Sequence, residues 1–146
     1  MSNMLEMPRQ AQQVLLFNTQ GQGLYEITRD VISWTESCPI TTGLLTIYCR
    51  HTSASLIIQE NADPAVLEDL QDFFKQLVPE SGLSYKHAAE GPDDMPAHIK
   101  GALTATCLSI PVSSGSLTLG VWQGIFLFEH RLQPHTREVI LHLTGT

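Results

Sequence analysis

Long apolar stretches are missing from this chain of 146 residues. A helix that crosses a bilayer needs about 20 consecutive apolar residues, and the longest apolar runs here are far shorter. The N-terminus, residues 1–12, also lacks the basic region followed by an apolar stretch that marks a signal peptide. The sequence therefore predicts a cytoplasmic protein with no membrane partner.

Cysteines and basic residues are scarce as well. Cys38, Cys49 and Cys107 lie far apart and form no Cys-x-x-Cys pair, which disfavours a disulfide framework or a cysteine zinc knuckle. Eight Lys and Arg residues stand against fifteen Asp and Glu, for a formal net charge of -7. This balance disfavours a general nucleic-acid or anionic-membrane binder, although a locally basic pocket can still hold a small anion.

Familiar nucleotide-binding and hydrolase motifs are absent too. The chain contains no Walker loop, no Rossmann glycine fingerprint and no Gly-x-Ser-x-Gly elbow. With 42% apolar and 16% charged residues, its composition is typical of a folded globular protein. We expect a flexible N-terminus over residues 1–8 and a single domain over residues 9–146.

The residue patterns predict an α+β fold with mostly antiparallel strands and two to three helices. The clearest helix begins after Asp63, a good N-cap, has Pro64 at its first position and ends at Pro79. Thr28 is expected to cap an earlier helix, and a third helix should start near Asp94 or Pro96. Strands are predicted over residues 10–18, 24–27, 43–50, 53–60, 107–112, 117–120, 124–130 and 137–143.

The segment between the second and third helices, residues 79–96, is predicted to be a long loop, and such loops are often functional. From His87 to His98 the chain carries two imidazoles and three carboxylates, those of Glu90, Asp93 and Asp94. Imidazole and carboxylate together suit a divalent transition metal or a general acid/base pair. The spacing matches no fixed zinc signature, and a solvated surface loop with a capping Asp is the structural alternative.

Two other places bring polar groups together. Arg50 and His51 precede three hydroxyl residues at a turn between strands, where they could hold a phosphate, position a proton or simply satisfy the turn. His130 ends an apolar strand that follows Gln123, and such a histidine is more often a core or edge residue than a ligand. A small positive pocket is a further hypothesis, since five of the eight basic residues flank these segments: Arg50, Lys86, Lys100, Arg131 and Arg137.

Several of these strings together resemble one known family. They are HTSAS at 51–55, QENADP at 59–64, EGPDDMPAHIK at 90–100, LGVWQG at 119–124 and EHR at 129–131. In this order they look like the YjbQ-like family, also described as a secondary thiamine-phosphate synthase family. The resemblance covers residues 10 to 145. Cys107 and Ser116 depart from it, because many relatives are expected to have Ser and Arg there, and the Arg would supply an anion contact.

The resemblance implies a compact α+β fold with two β-sheets, assembled as a homotrimer, with a cleft lined by the motif histidines. It implies a weak or secondary activity that joins a pyrimidine-methyl diphosphate to a thiazole phosphate, with small phosphorylated metabolites as partners and no nucleic acid. A divalent metal, zinc or magnesium, would assist this chemistry, because the departure of diphosphate requires its charge to be neutralised.

The resulting hypothesis assigns a role to each motif residue. The metal would be held by His87, His98 and His130, and the anions by Arg50, Lys100 and Arg131. Protons would be handled by His51 and Glu90, while Asp94 would orient a histidine and Gln123 would hold a ring nitrogen or carbonyl. Two alternatives stay open: a metabolite- or anion-binding protein without turnover, and a metal-dependent hydrolase.

Overall fold

The computed structural model describes residues 7–82 and 84–146, and within them it confirms the predicted α+β class. Residues 1–6, part of the segment expected to be flexible, lie outside the described residues. The elements in chain order are β1 Arg9–Thr19, β2 Gly23–Glu26, α1 Thr28–Ser37, β3 Gly43–Cys49, β4 Ala54–Glu60, α2 Pro64–Leu77, α3 Asp94–Leu103, β5 Cys107–Ser113, β6 Ser116–Leu117, β7 Gln123–Glu129 and β8 His135–Gly145.

The strands form two antiparallel sheets with the core between them. The larger sheet has the order β1-β8-β3-β5-β6, and the smaller has the order β2-β7-β4. Alternation along β8 turns Val139, Leu141 and Leu143 inward, where they join Leu56 of β4 and Ile125 of β7 in one apolar cluster. No helix in the described part of the chain is both long and apolar enough to cross a membrane.

Helix α2 begins as predicted. The Asp63 carboxylate accepts a hydrogen bond from the Ala65 N–H at 2.9 Å, and Pro64 occupies the first helical position. The helix has no fully buried residue. It packs on the smaller sheet through Phe74, whose ring meets Phe128 edge to face with centroids 5.3 Å apart.

Thr28 differs from its predicted role as a helix cap. It is the first residue of α1, and no side chain caps the helix. Its hydroxyl donates instead to a carboxylate oxygen of Glu26 and accepts from the Ile125 N–H, both at 2.8 Å. The hydroxyl therefore ties α1 to β7, and this tertiary contact replaces the local cap that the sequence pattern predicts.

Two strands also differ in length from their predictions. Strand β8 starts at His135 and ends at Gly145 because β1 pairs with it along its full length. Strand β6 is only two residues long. Pro111 of β5 has no N–H to return to Thr118, although its carbonyl accepts from the Thr118 N–H, so the ladder cannot continue there.

Candidate metal centre at the start of helix α3

Three side chains that suit a metal ion converge at the start of α3. Asp94 is the first residue of the helix, His98 lies one turn later on the same side, and His87 comes from the preceding loop. One ligand atom from each lies within 4.8 Å of the others, and the rest of the described chain contains no further group of this kind. The Nε2 atoms of His87 and His98 lie 2.5 and 3.5 Å from the Asp94 carboxylate oxygens.

Arg131 holds the central carboxylate in place. Its guanidinium donates to Asp94 at 2.8 Å, to Asp93 at 2.9 Å and to the carbonyl of Glu90 at 3.0 Å. Burial works to raise the pKa of the Asp94 carboxyl, but the hydrogen bond from His87 and the charge of Arg131 outweigh it and lower that pKa. Asp94 is therefore an anionic group that is almost completely shielded from solvent.

His98 presents a defined ring nitrogen to this carboxylate. Its Nδ1 lies 3.1 Å from the Thr52 carbonyl oxygen, which can only accept, so Nδ1 carries the proton. In the neutral ring, the lone pair of Nε2 then faces the Asp94 oxygen, an arrangement that calls for a cation or a proton between them. This is the pattern of a metal-binding histidine that is oriented by a backbone carbonyl.

Gly101 makes the contact between His98 and the Thr52 loop feasible. It lies on the same side of α3 as His98, and a Cβ atom there would stand 3.2 Å from the Thr52 carbonyl oxygen. Gly91 serves the other end of the site. Its φ of +105° suits glycine and turns the loop into the helix.

His87 lies on the open side of the cluster. Its side chain is 50% exposed, against 2% for Asp94. Next to it is a pocket of about 340 Å³ whose walls include Glu80, Tyr85, Pro92 and Met95. Solvent or a small molecule can therefore reach the cluster from this side.

Two imidazoles and one carboxylate are chemically suited to zinc, and three protein ligands leave a position open, as in catalytic sites. Magnesium prefers all-oxygen ligands. Of the two metals expected from the sequence, this donor set therefore fits zinc better.

His130, expected to be a third metal-binding histidine, lies elsewhere. It is 1% exposed, and its Nε2 lies 2.8 Å from the Ser55 hydroxyl. Its ring packs against Phe128 with centroids 4.4 Å apart, and its Nδ1 has no hydrogen-bond partner within the described residues. Strand β7 carries His130 into the interior, and the structure does not group it with His87 and His98.

This burial predicts acid sensitivity. Burial, aided by the charge of Lys100, lowers the pKa of His130 to about 3, whereas an unfolded histidine has a pKa near 6.5. Between these two pKa values, His130 is protonated in the unfolded chain and neutral in the folded chain. We expect the free energy of unfolding to fall between pH 6.5 and 4.5 by about 1.4 kcal/mol per pH unit from this residue.

Urea unfolding at several pH values checks this expectation, with His130→Gln as the comparison. Burial and the charge of Arg137 also lower the pKa of His51, so His51 adds to the slope with the same sign in both proteins. The variant should show a shallower slope than the wild type above pH 4.5. Equal slopes would show that His130 is not the responsible group.

The other residues expected to be catalytic hold local structure. His51 Nε2 accepts from the Glu138 N–H at 2.8 Å, and Gln123 Oε1 accepts from the Gly120 N–H at 2.8 Å. Glu90 lies in the loop of the cluster, where its carbonyl binds Arg131. Of the four residues expected to be catalytic, Asp94 is thus part of the metal cluster and Glu90 lies near it. His51 and Gln123 instead accept hydrogen bonds from backbone N–H groups outside the cluster.

The three residues expected to bind anions lie in three different surroundings. Arg50 is half exposed and lies 3.4 Å from Glu138. Arg131 is occupied by the carboxylates of Asp93 and Asp94, so its charge is used inside the protein. Lys100 is buried on α3 and lines a separate cleft.

One buried ion pair was not expected from the sequence. Arg137 is 4% exposed and contacts the Glu129 carboxylate, which is fully buried, at 2.5 and 2.7 Å. Strand alternation in the sequence could have predicted it. Arg137 falls on the inward face of β8 with Val139 and Leu141, and Glu129 falls on the inward face of β7 with Leu127. Two opposite charges on inward faces of facing sheets should pair.

The amino-acid sequence of this chain is similar to those of one protein family. A family model described as UPF0047 protein YjbQ-like matches residues 12–146. A UPF0047 protein of Synechocystis is 56% identical over 137 residues, which cover 94% of this chain and 93% of that protein. The UPF0047 protein YjbQ of Escherichia coli O157:H7 is 40% identical over 92% of this chain and 97% of its own length.

Solved structures agree with the fold. A YbjQ-like protein of unknown function from Sulfolobus solfataricus superposes with a TM-score of 0.88 at 25% identity, covering 96% of this chain and all of the other. A conserved hypothetical protein from Thermus thermophilus gives a TM-score of 0.77 at 35% identity, over 88% of this chain and 97% of the other.

Proposed function

This chain belongs to the UPF0047 protein YjbQ-like family, and on that premise we propose that it is a metal-assisted transferase acting on phosphorylated heterocycles. The reaction is the thiamine-phosphate synthase reaction that the family resemblance implies. The ring nitrogen of a thiazole phosphate forms a C–N bond to the methylene carbon of a pyrimidine-methyl diphosphate. The C–O bond breaks, and diphosphate leaves with the electron pair. The cluster of His87, Asp94 and His98 is the observation that carries the proposal.

The residues of the cluster divide the work. His87, Asp94 and His98 would hold a divalent metal, whose charge stabilises the departing diphosphate. Arg131 keeps the Asp94 carboxylate oriented, and the Thr52 carbonyl keeps the His98 lone pair turned inward. The attacking nitrogen carries no proton, so no general base is needed. His51 has no part in this mechanism, because its Nε2 is committed to the Glu138 N–H.

The surroundings favour a metal over a basic pocket for this charge. Arg131, the cation that contacts the cluster, already donates to two carboxylates and a carbonyl. Lys86 precedes His87 in the chain and is exposed. The donors of Arg131 are therefore already used, and a metal would supply the cation that a diphosphate at the cluster itself needs.

The assay is thiamine phosphate formation by protein stripped with a chelator and refilled with zinc, magnesium or manganese. We expect activity to depend on the added metal, and to fall at least about 100-fold in His87→Ala and His98→Ala, since even removing an outer partner of a metal ligand costs about 10–100-fold. His135→Ala is the matched control. Its ring hydrogen-bonds to the nearby Gln133 carbonyl and to no residue of the cluster, so its loss should leave the rate unchanged.

Two results would contradict this proposal. Unchanged activity in both variants would remove the site assignment. No product at any metal or concentration would remove the transferase reaction. Release of inorganic phosphate from a single substrate would instead indicate a metal-dependent hydrolase, a function that the half-exposed His87 favours because water can reach the cluster.

Self-association into a homotrimer is also part of the proposal. On the outer face of the larger sheet, Val14, Ile140 and Tyr48 are neighbours across three strands. Val14 and Tyr48 are 39% and 46% exposed, so the row offers apolar surface for a second copy to cover. Sedimentation equilibrium should give three times the chain mass, and Tyr48→Glu should lower it.

A further inference from the structure

Lys100 is a charged side chain in a costly position. It lies in α3 and is 3% exposed. Within the described part of the chain it has no carboxylate within ion-pair distance and its side chain makes no hydrogen bond, in contrast to Arg131 and Arg137. Most of this side chain is buried, but its nitrogen is not among the fully buried atoms of the described residues, so the ammonium meets solvent at the cleft that it lines.

The side chain of Lys100 lines a cleft of about 360 Å³ together with Lys75 of α2. Gln22, Glu80 and Leu132 complete its polar and apolar walls. Two like charges in one cleft are a local excess of positive charge in a chain whose net charge is -7.

The acidic residue of the cleft, Glu80, is hydrogen-bonded to Gln22 of the same wall. Gln22 donates from its amide to the Glu80 carboxylate at 2.9 Å and to the His130 carbonyl at 3.0 Å. Glu80 also lines the pocket beside His87. The cleft and the open side of the candidate metal centre are therefore neighbours that share one wall.

From this arrangement we infer that Lys75 and Lys100 form a binding subsite for the phosphate of a small phosphomonoester. The anion would supply a charged partner for the ammonium of Lys100, which has none among the described residues, and the cleft has the volume of a small-metabolite pocket. If the proposed function holds, this subsite takes the phosphate of the thiazole substrate, and the metal centre takes the diphosphate of the other. The binding itself depends only on the two lysines.

The test measures binding without catalysis. Isothermal titration calorimetry on chelator-stripped protein compares hydroxyethylthiazole phosphate with the unphosphorylated alcohol. We expect the phosphate to bind and the alcohol to bind at least about tenfold more weakly. Lys100→Met and Lys75→Met should each lower the affinity for the phosphate about tenfold or more, since a hydrogen bond to a charged group contributes that much.

The chain offers a matched control for the change of charge. It has three lysines, and Lys86→Met removes the same charge outside the cleft; this variant should bind as the wild type does. Lys75 is exposed on α2, so Lys75→Met keeps the test valid if Lys100→Met does not fold. His98→Ala should bind the phosphate normally, which separates this subsite from the transferase activity.

Four results would overturn the inference. The wild type could bind phosphate and alcohol alike, both lysine variants could keep wild-type affinity, Lys86→Met could lose as much as they do, or His98→Ala could lose binding. If the protein binds the phosphate through Lys75 and Lys100 but forms no thiamine phosphate, the subsite is supported and the proposed reaction is contradicted.

Discussion

Replacing Asp94 by Asn should weaken zinc binding by at least about 100-fold, because it removes the anionic ligand that lies between the two histidines. Asn keeps the shape of the side chain but offers one neutral oxygen to the metal. It also removes the charge that pairs with Arg131 at 2.8 Å. Competition with a chromophoric chelator on the purified protein measures the affinity directly, without assuming any reaction.

Asp93→Asn is the matched control for this change. Asp93 is adjacent in sequence, buried, and also bound to Arg131, but it accepts from the Leu132 N–H and contacts neither histidine. Its loss should act only through the position of Arg131, so zinc affinity should fall less than in Asp94→Asn. Equal losses in the two variants would mean that the carboxylates hold the loop and that neither binds the ion.

How far the sequence predicts this centre depends on distance along the chain. His87, Asp94 and His98 lie within twelve residues, and one helical turn brings Asp94 and His98 to the same side. Local geometry therefore predicts the proximity of Asp94 and His98, whereas His87 lies on a loop whose path no local rule fixes. For His130 the local pattern and the family resemblance disagree: the end of an apolar strand favours a core or edge position, whereas the resemblance groups it with the metal ligands. The structure places it in the interior beside Ser55.

The same distinction explains the fold. The start of α2 at Pro64 follows from a cap and a proline, both of which act within one turn. The role of Thr28 depends on Glu26 and on Ile125, which is almost a hundred residues away. The short β6 depends on Pro111 lying opposite it. The local prediction for α2 is confirmed, whereas those for Thr28 and β6 are wrong because partners distant in the sequence decide them.

Arg137→Ala should lower the free energy of unfolding by about 3–5 kcal/mol, the usual cost of leaving one partner of a buried ion pair alone. Arg137 makes two contacts with Glu129 and donates to the Ser53 hydroxyl at 3.0 Å. Without it, two hydrogen bonds to the fully buried Glu129 carboxylate remain among the described residues, from the Thr19 hydroxyl at 2.7 Å and from the Arg131 N–H. Urea unfolding at pH 7, followed by circular dichroism, gives the value.

The pH dependence identifies the cause of this loss. In the wild type, burial tends to raise the pKa of Glu129, but the hydrogen bonds from Arg137 and Thr19 outweigh it and lower that pKa. The wild-type pair therefore stabilises the protein above the ordinary glutamate pKa and loses this effect as pH falls. In Arg137→Ala the unpaired carboxyl of Glu129 should have a raised pKa. The difference in unfolding free energy between wild type and variant should therefore shrink when acid neutralises Glu129.

The double variant Arg137→Met/Glu129→Leu removes both charges and should recover most of the lost stability. A single variant whose deficit stays constant with pH, or a double variant no better than the single, would show that packing around Arg137 is responsible and that the unpaired charge is not.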